Sequence, residues 1–142
     1  MVEKNKGVCE TLWIVLDNTK VKLRIGAIYA PQESRTSKEI LKIMYKEIGE
    51  QLIKAKEKQQ IPLIVGDFNC KIGDAIAGNR KDVTKGGRLL LKMVETFKLK
   101  ILNGTEKCLG LWTRSEGGKS SVLDYALIDE NSESALQTML ID

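Results

Sequence analysis

Three short stretches hold side chains that could act together on a phosphate or a hard cation. Gly66-Asp67-Phe68-Asn69 sets a carboxylate and a carboxamide on either side of an apolar residue. On extended backbone alternate residues share a side, so Asp67 and Asn69 point one way and Phe68 points into the packing. A carboxylate beside a carboxamide can hold a water, a phosphate oxygen or a hard cation. The same pair could instead do no more than close an Asx turn after the strand. In Ser120-Ser121-Val122-Leu123-Asp124-Tyr125, Asp124 interrupts an apolar run, and a lone buried carboxylate is costly. It then holds a histidine or arginine, faces a cleft, or stands on an edge strand as a guard against aggregation. The third stretch, Ile28-Tyr29-Ala30-Pro31, brings a tyrosine to a strand end, where it could also be a core aromatic.

The elements that must position these groups follow from periodicity. Residues 11–17 and 21–29 are rich in β-branched and aromatic side chains, with Asp17-Asn18 supplying a turn, so a hairpin is predicted. In its second strand Val21, Leu23, Ile25, Ala27 and Tyr29 form one row, expected to face inward, and Pro31 ends the run. Thr36 and Glu39 have capping-box spacing. After them Ile40, Met44, Ile48 and Leu52 mark an amphipathic helix running to Lys58. Pro62 introduces Leu63, Ile64 and Val65, a continuous apolar strand expected to be covered on both faces in a crossover unit. Asp67 therefore lies where a buried strand leaves the sheet, a usual position for ligand groups in α/β folds. A polar loop over 69–85 leads to a second helix opened by Gly86-Gly87 and carrying Leu89, Leu90, Met93, Val94 and Phe97. Short strands are expected at 100–103, 111–113, 122–128 and 139–141, with a helical turn at 132–136. The class is α/β (α+β), with a mixed sheet and two main helices.

Composition narrows the function. A chain of 142 residues, 42% hydrophobic and 30% charged, reads as one globular domain. The net charge of +4 suits a polyanionic partner, although the scattered lysines suit an ordinary solvated surface as well. Cys9, Cys70 and Cys108 form no CxxC, and the sequence holds no histidine, which excludes a structural zinc site. Free thiols point to a reducing intracellular setting, nuclear or cytoplasmic. No apolar run approaches membrane-spanning length, so no membrane partner is expected.

Taken in order, IYAP, a long helix, PLIVGDFN, GGRLLLKMVE, KILN, WT and SSVLDYALI resemble the endonuclease/exonuclease/phosphatase superfamily. The likeness is to the apurinic-endonuclease-like domains of non-LTR (LINE-type) retrotransposons, and it runs along essentially the whole chain. It implies part of a four-layer α/β sandwich and Mg²⁺-dependent hydrolysis of DNA phosphodiesters. By this resemblance Asp67 orients or deprotonates the attacking water, and Asn69 binds the scissile phosphate near the metal. Tyr29 donates to the same phosphate, and Asp124 orients a catalytic histidine. Thr113 and Ser121 match positions near the DNA backbone, although strand hydroxyls often do no more than pair across a sheet.

The resemblance also implies what is missing from residues 1–142: an N-terminal asparagine and metal-binding glutamate, and a C-terminal Ser-Asp-His. A partial domain with weak Mg²⁺ binding at Asp67 and Asn69 and no efficient cleavage is therefore expected. The alternatives are a non-catalytic self-associating or nucleic-acid-binding module, or part of another phosphoesterase of the superfamily. A single sheet with an uncovered apolar face further suggests a homodimer formed through Val21, Leu23, Ile25 and residues 63–65.

Overall fold

The computed structural model describes residues 9–18, 20–76, 82–110 and 113–137, and the backbone of 139–140. Strands β1 (Glu10–Asp17) and β2 (Lys22–Tyr29) pair antiparallel as the expected hairpin. The Asn18 carboxamide oxygen accepts from the backbone N–H groups of Lys20 and Val21, closing the turn. Helix α1 (Lys38–Glu57) then crosses over, and β3 (Ile61–Asp67) returns parallel to β2. Helix α2 (Lys85–Thr96) and the strands β4 (Leu99–Ile101), β5 (Cys108–Leu109), β6 (Arg114–Glu116), β7 (Lys119–Ser121), β8 (Asp124–Asp129) and β9 (Met139–Leu140) follow. The main sheet has the order β1-β2-β3-β8-β4, while β5 pairs with β9 and β6 with β7 in two small ribbons. The mixed sheet and the two main helices give the predicted α/β (α+β) class.

Local chemistry explains the helix boundaries. Ser37, and not Thr36, caps α1, its Oγ accepting from the Ile40 N–H at 3.2 Å. Thr84 does the same for α2 at the Gly87 N–H. The Glu33 carboxylate reaches over from a distant turn to accept from the N–H of Gly86 at 2.6 Å and of Lys85 at 3.3 Å. The apolar stripe of α1 (Leu41, Met44, Tyr45, Ile48, Leu52) is buried against the sheet together with Leu90 and Met93 of α2.

Strand register sorts the sheet into two faces. Trp13, Ile28, Ile64, Tyr125, Leu127 and Leu99 join the helices in the core. Gly26 lies under Trp13, and an added Cβ would sit 2.6 Å from its ring. The other face carries Leu12, Ile14 and Leu16 beside Ala27, Ile25 and Leu23, then Val65, Leu63 and Ile61, by direct pairing. Two expectations change here. The row from Val21 to Tyr29 faces away from the helices, and the inward positions of β2 are Gly26 and Ile28. Strand β3 has helices on one side only: Ile64 is fully buried, whereas Val65 is 37% exposed. An amphipathic chain places its most apolar row against a helix layer only if one lies on that side. Both helices here pack on the opposite face.

Smaller differences follow from tertiary pairing. Pro62 lies within β3, near its start, where a missing N–H is least costly. Leu99–Ile101 forms β4 one residue earlier than predicted, and the helical turn covers Glu130–Ala135. Of the strand predicted at 111–113, residues 111–112 lie outside the described residues, as does residue 141 of the last strand. Asp124 opens β8, which lies between β3 and β4, so it does not guard an edge strand.

Candidate active site

Three of the residues singled out in the sequence stand side by side. Tyr29 is the register partner of Asp67 across β2–β3, and Asp67 is the partner of Asp124 across β3–β8. All three therefore project from the helix-free face at one end of the sheet. Tyr29 is 48% exposed and is not a core aromatic.

The flanking motif residues build this row. Gly66 has φ +150°, and a Cβ there would lie 2.0 Å from the Ile28 carbonyl oxygen, so only glycine lets β3 deliver Asp67 beside Tyr29. Phe68 turns into the core, its ring 6.4 Å from Tyr45 and 6.0 Å from Tyr125. The Tyr125 hydroxyl donates to the carbonyls of Cys70 and Val122, tying the chain that leaves β3 to the start of β8. Asp124 and Tyr125 thus divide the work of one dipeptide: the first faces the site, and the second locks the loop behind it. Asn103 adds a second tie, donating to the Asp124 carbonyl and accepting from the Ala126 N–H.

Asn69 has left the strand, with φ +44°, a conformation asparagine tolerates. Asp67 Oδ1 accepts from the Asn69 backbone N–H at 2.9 Å, and Oδ2 accepts from Asn69 Nδ2 at 3.1 Å. Nδ2 also donates to the Ala30 carbonyl at 2.7 Å, which joins the IYAP and GDFN segments. The carboxylate that closes this Asx turn is therefore the same one that stands in the Tyr29–Asp67–Asp124 row. With its amide protons directed at protein oxygens, Asn69 offers a ligand its Oδ1, a group suited to water or a cation.

Electrostatics single out Asp67. Burial pushes its carboxyl above the usual carboxylate range; the Asn69 backbone N–H pulls it down, the Asp124 charge adds to the rise, and Arg114 offsets it. Burial also raises the Cys70 thiol, to about 12, which marks it as an inert core group. Among the described residues no group of three or more histidine, cysteine or acidic side chains is placed to hold a metal. Asp67 and Asp124, neighbours in register, carry oxygen donors of the type Mg²⁺ takes, an ion that keeps several waters and uses few carboxylates.

Thr113 and Ser121 frame the neighbouring ribbon. Thr113 Oγ1 accepts from the N–H groups of Leu123 and Asp124 at 2.8 and 3.1 Å, and its own N–H donates to the Ser121 carbonyl. Ser121 lines a groove with Lys71, Arg114, Glu116 and Lys119, in which Glu116 pairs with Arg114, while Asp82 pairs with Lys71. Those three cations were not anticipated. The signal for their ribbon was the Gly117-Gly118 pair, with φ +57° and +74°, a two-residue hairpin turn.

The sheet and its crossover give a mixed α/β fold shared with a solved endonuclease domain. In particular, the chain is similar to the solved endonuclease domain of TRAS1, a telomere-specific non-LTR retrotransposon, with TM-score 0.59 at 17% identity. The match covers 87% of this chain and 52% of that one, so this chain spans about half the length of its neighbour. No family model matches the sequence, and no curated protein matches it. No helix among the described residues is long and apolar enough to cross a membrane.

Proposed function

We propose that this chain carries part of a phosphodiester-hydrolase site of the retrotransposon endonuclease type, able to hold a cation and a phosphate but not to cut DNA efficiently unaided. The observation that carries this reading is the row Tyr29–Asp67–Asp124, in register across three neighbouring strands. Asp67 orients or deprotonates water, its raised affinity for a proton suiting it to a base. Tyr29 donates to a phosphate oxygen, and Asp67 and the Asn69 Oδ1 hold the cation. Bound Mg²⁺ would supply charge neutralisation at the phosphate. Ser121, Arg114 and Lys71 line a groove that this reading gives to the DNA backbone, with Thr113 holding the loop beside it. The chain belongs to the nucleus or cytoplasm in this reading, in keeping with three free thiols.

Efficient cleavage is not expected because the sequence contains no histidine, leaving Asp124 without an imidazole to orient. Loss of one member of a catalytic unit costs several orders of magnitude in rate. A supercoiled plasmid incubated with Mg²⁺ and the chain should be nicked no faster than with Asp67→Ala. Mg²⁺-dependent nicking that disappears in Asp67→Ala would overturn the inactivity. In parallel, Mn²⁺ should broaden the NMR signals of Asp67, Asn69 and Asp124 and lose that effect in Asp67→Ala/Asp124→Ala. Absence of selective broadening in the unsubstituted chain would remove the cation site. A non-catalytic role in DNA binding would draw on the same groove, where Lys71 and Arg114 would exchange Asp82 and Glu116 for phosphate oxygens.

A further inference from the structure

Strand β8 loses its partner on one side just where it delivers Asp124. Strand β4 pairs with it from Asp129 to Leu127 and ends at Ile101. One more backbone bond, from the Leu102 N–H to the Ala126 carbonyl at 2.8 Å, continues the ladder. The chain then turns: the Leu102 carbonyl accepts from the N–H and the hydroxyl of Thr105, and Gly104 has φ +73°. In an unbroken antiparallel ladder the Leu102 carbonyl would have met the Ala126 N–H, and the Gly104 N–H the Asp124 carbonyl. One side chain meets both instead. Asn103 Oδ1 accepts from the Ala126 N–H at 2.9 Å, and Nδ2 donates to the Asp124 carbonyl at 2.9 Å. The carboxamide thus takes the place of a peptide group, a part that needs donor and acceptor on one planar group. Asn103 is 6% exposed, so a partner left unmet there has no water to turn to.

We propose that Asn103 is a positioning residue of the candidate site: standing in for the stretch that β4 lacks, it sets where Asp124 stands beside Asp67 and so how well the two hold a divalent cation. This rests on the reading of that end of the sheet as a cation site. Asn103 acts through the backbone of Asp124, with its own carboxamide turned to the strand. Thr113 completes the hold from the other end of the residue, its Oγ1 accepting from the Asp124 N–H at 3.1 Å. Asp124 is therefore gripped at its N–H and at its carbonyl by two side chains, while β3 holds the register with Asp67 on its far side. Outer ties of this kind orient the groups that touch a metal, and removing one usually weakens binding by about 10- to 100-fold.

Two NMR measurements on the full chain test it: amide hydrogen exchange, which reports the tie, and broadening by titrated Mn²⁺, which reports cation affinity. Asn103→Leu keeps the volume and removes both bonds. In this variant the Asp124 and Ala126 amides should exchange about tenfold faster, and Mn²⁺ should bind about tenfold more weakly. Asn103→Ser, smaller and still polar, should move both in the same direction and carries the test if the leucine variant does not fold. Ile128→Val takes one methyl from the far half of the same strand and should leave Mn²⁺ affinity as in the parent. Unaltered exchange at Asp124 and Ala126 in the Asn103 variants overturns the tie. Faster exchange with unaltered Mn²⁺ affinity overturns the role in the site, and an equal loss of affinity in Ile128→Val reduces it to general stability. A parent chain without selective broadening removes the cation site itself and this role with it, a failure seen before any substitution at position 103.

Discussion

Ionising Asp67 has to overcome its own burial and the charge of Asp124 across the ladder. The folded chain thus holds this proton more tightly than the unfolded chain, in which an aspartate titrates near about 3.9. Stability therefore falls as pH rises from that value through the raised folded pKa, opposite in sign to a salt-bridged aspartate. Asp124→Asn removes one cause of the rise. It should lower the Asp67 pKa, read from its side-chain ¹³C shift, and flatten the dependence of stability on pH over that interval. An Asp67 titration unmoved by Asp124→Asn would show that the two carboxyls do not interact. At this scale Asp67, Tyr29 and Asp124 were legible as types and positions. The donors already occupied at Asn69 were not, because Ala30 meets it only in three dimensions.

Elements decide whether those residues meet. The parallel β2–β3 pair depends on Gly66, whose missing Cβ leaves room for the Ile28 carbonyl oxygen. Gly66→Ala adds backbone strain and a collision that no flexible side chain can relieve, and should cost on the order of 3 kcal/mol in denaturant unfolding. A variant within ~0.5 kcal/mol of the parent, the spread of innocuous surface changes, would show that the strands do not approach so closely. The α1 stripe and the β1–β2 hairpin could be read locally, since their periods and turn residues are local. The Glu33 cap on α2 could not be, because it joins residues more than fifty positions apart. The β6–β7 ribbon carried its turn signal in Gly117-Gly118, but its strands are three residues each, too short for a periodic pattern.

For the molecule as a whole, both helices lie on one face of the sheet, and Leu12, Ile14, Leu16 and Val65 stand exposed on the other. By itself the sequence determined the α/β class and the order of its principal elements, because period and turn chemistry are properties of neighbouring residues. Tertiary structure alone decided which side of β2 and β3 faces the helices, and that Tyr29, Asp67 and Asp124 form one row. Strand register and the side on which a crossover helix packs are set by contacts between residues far apart in the chain, so they exist only once the sheet has formed.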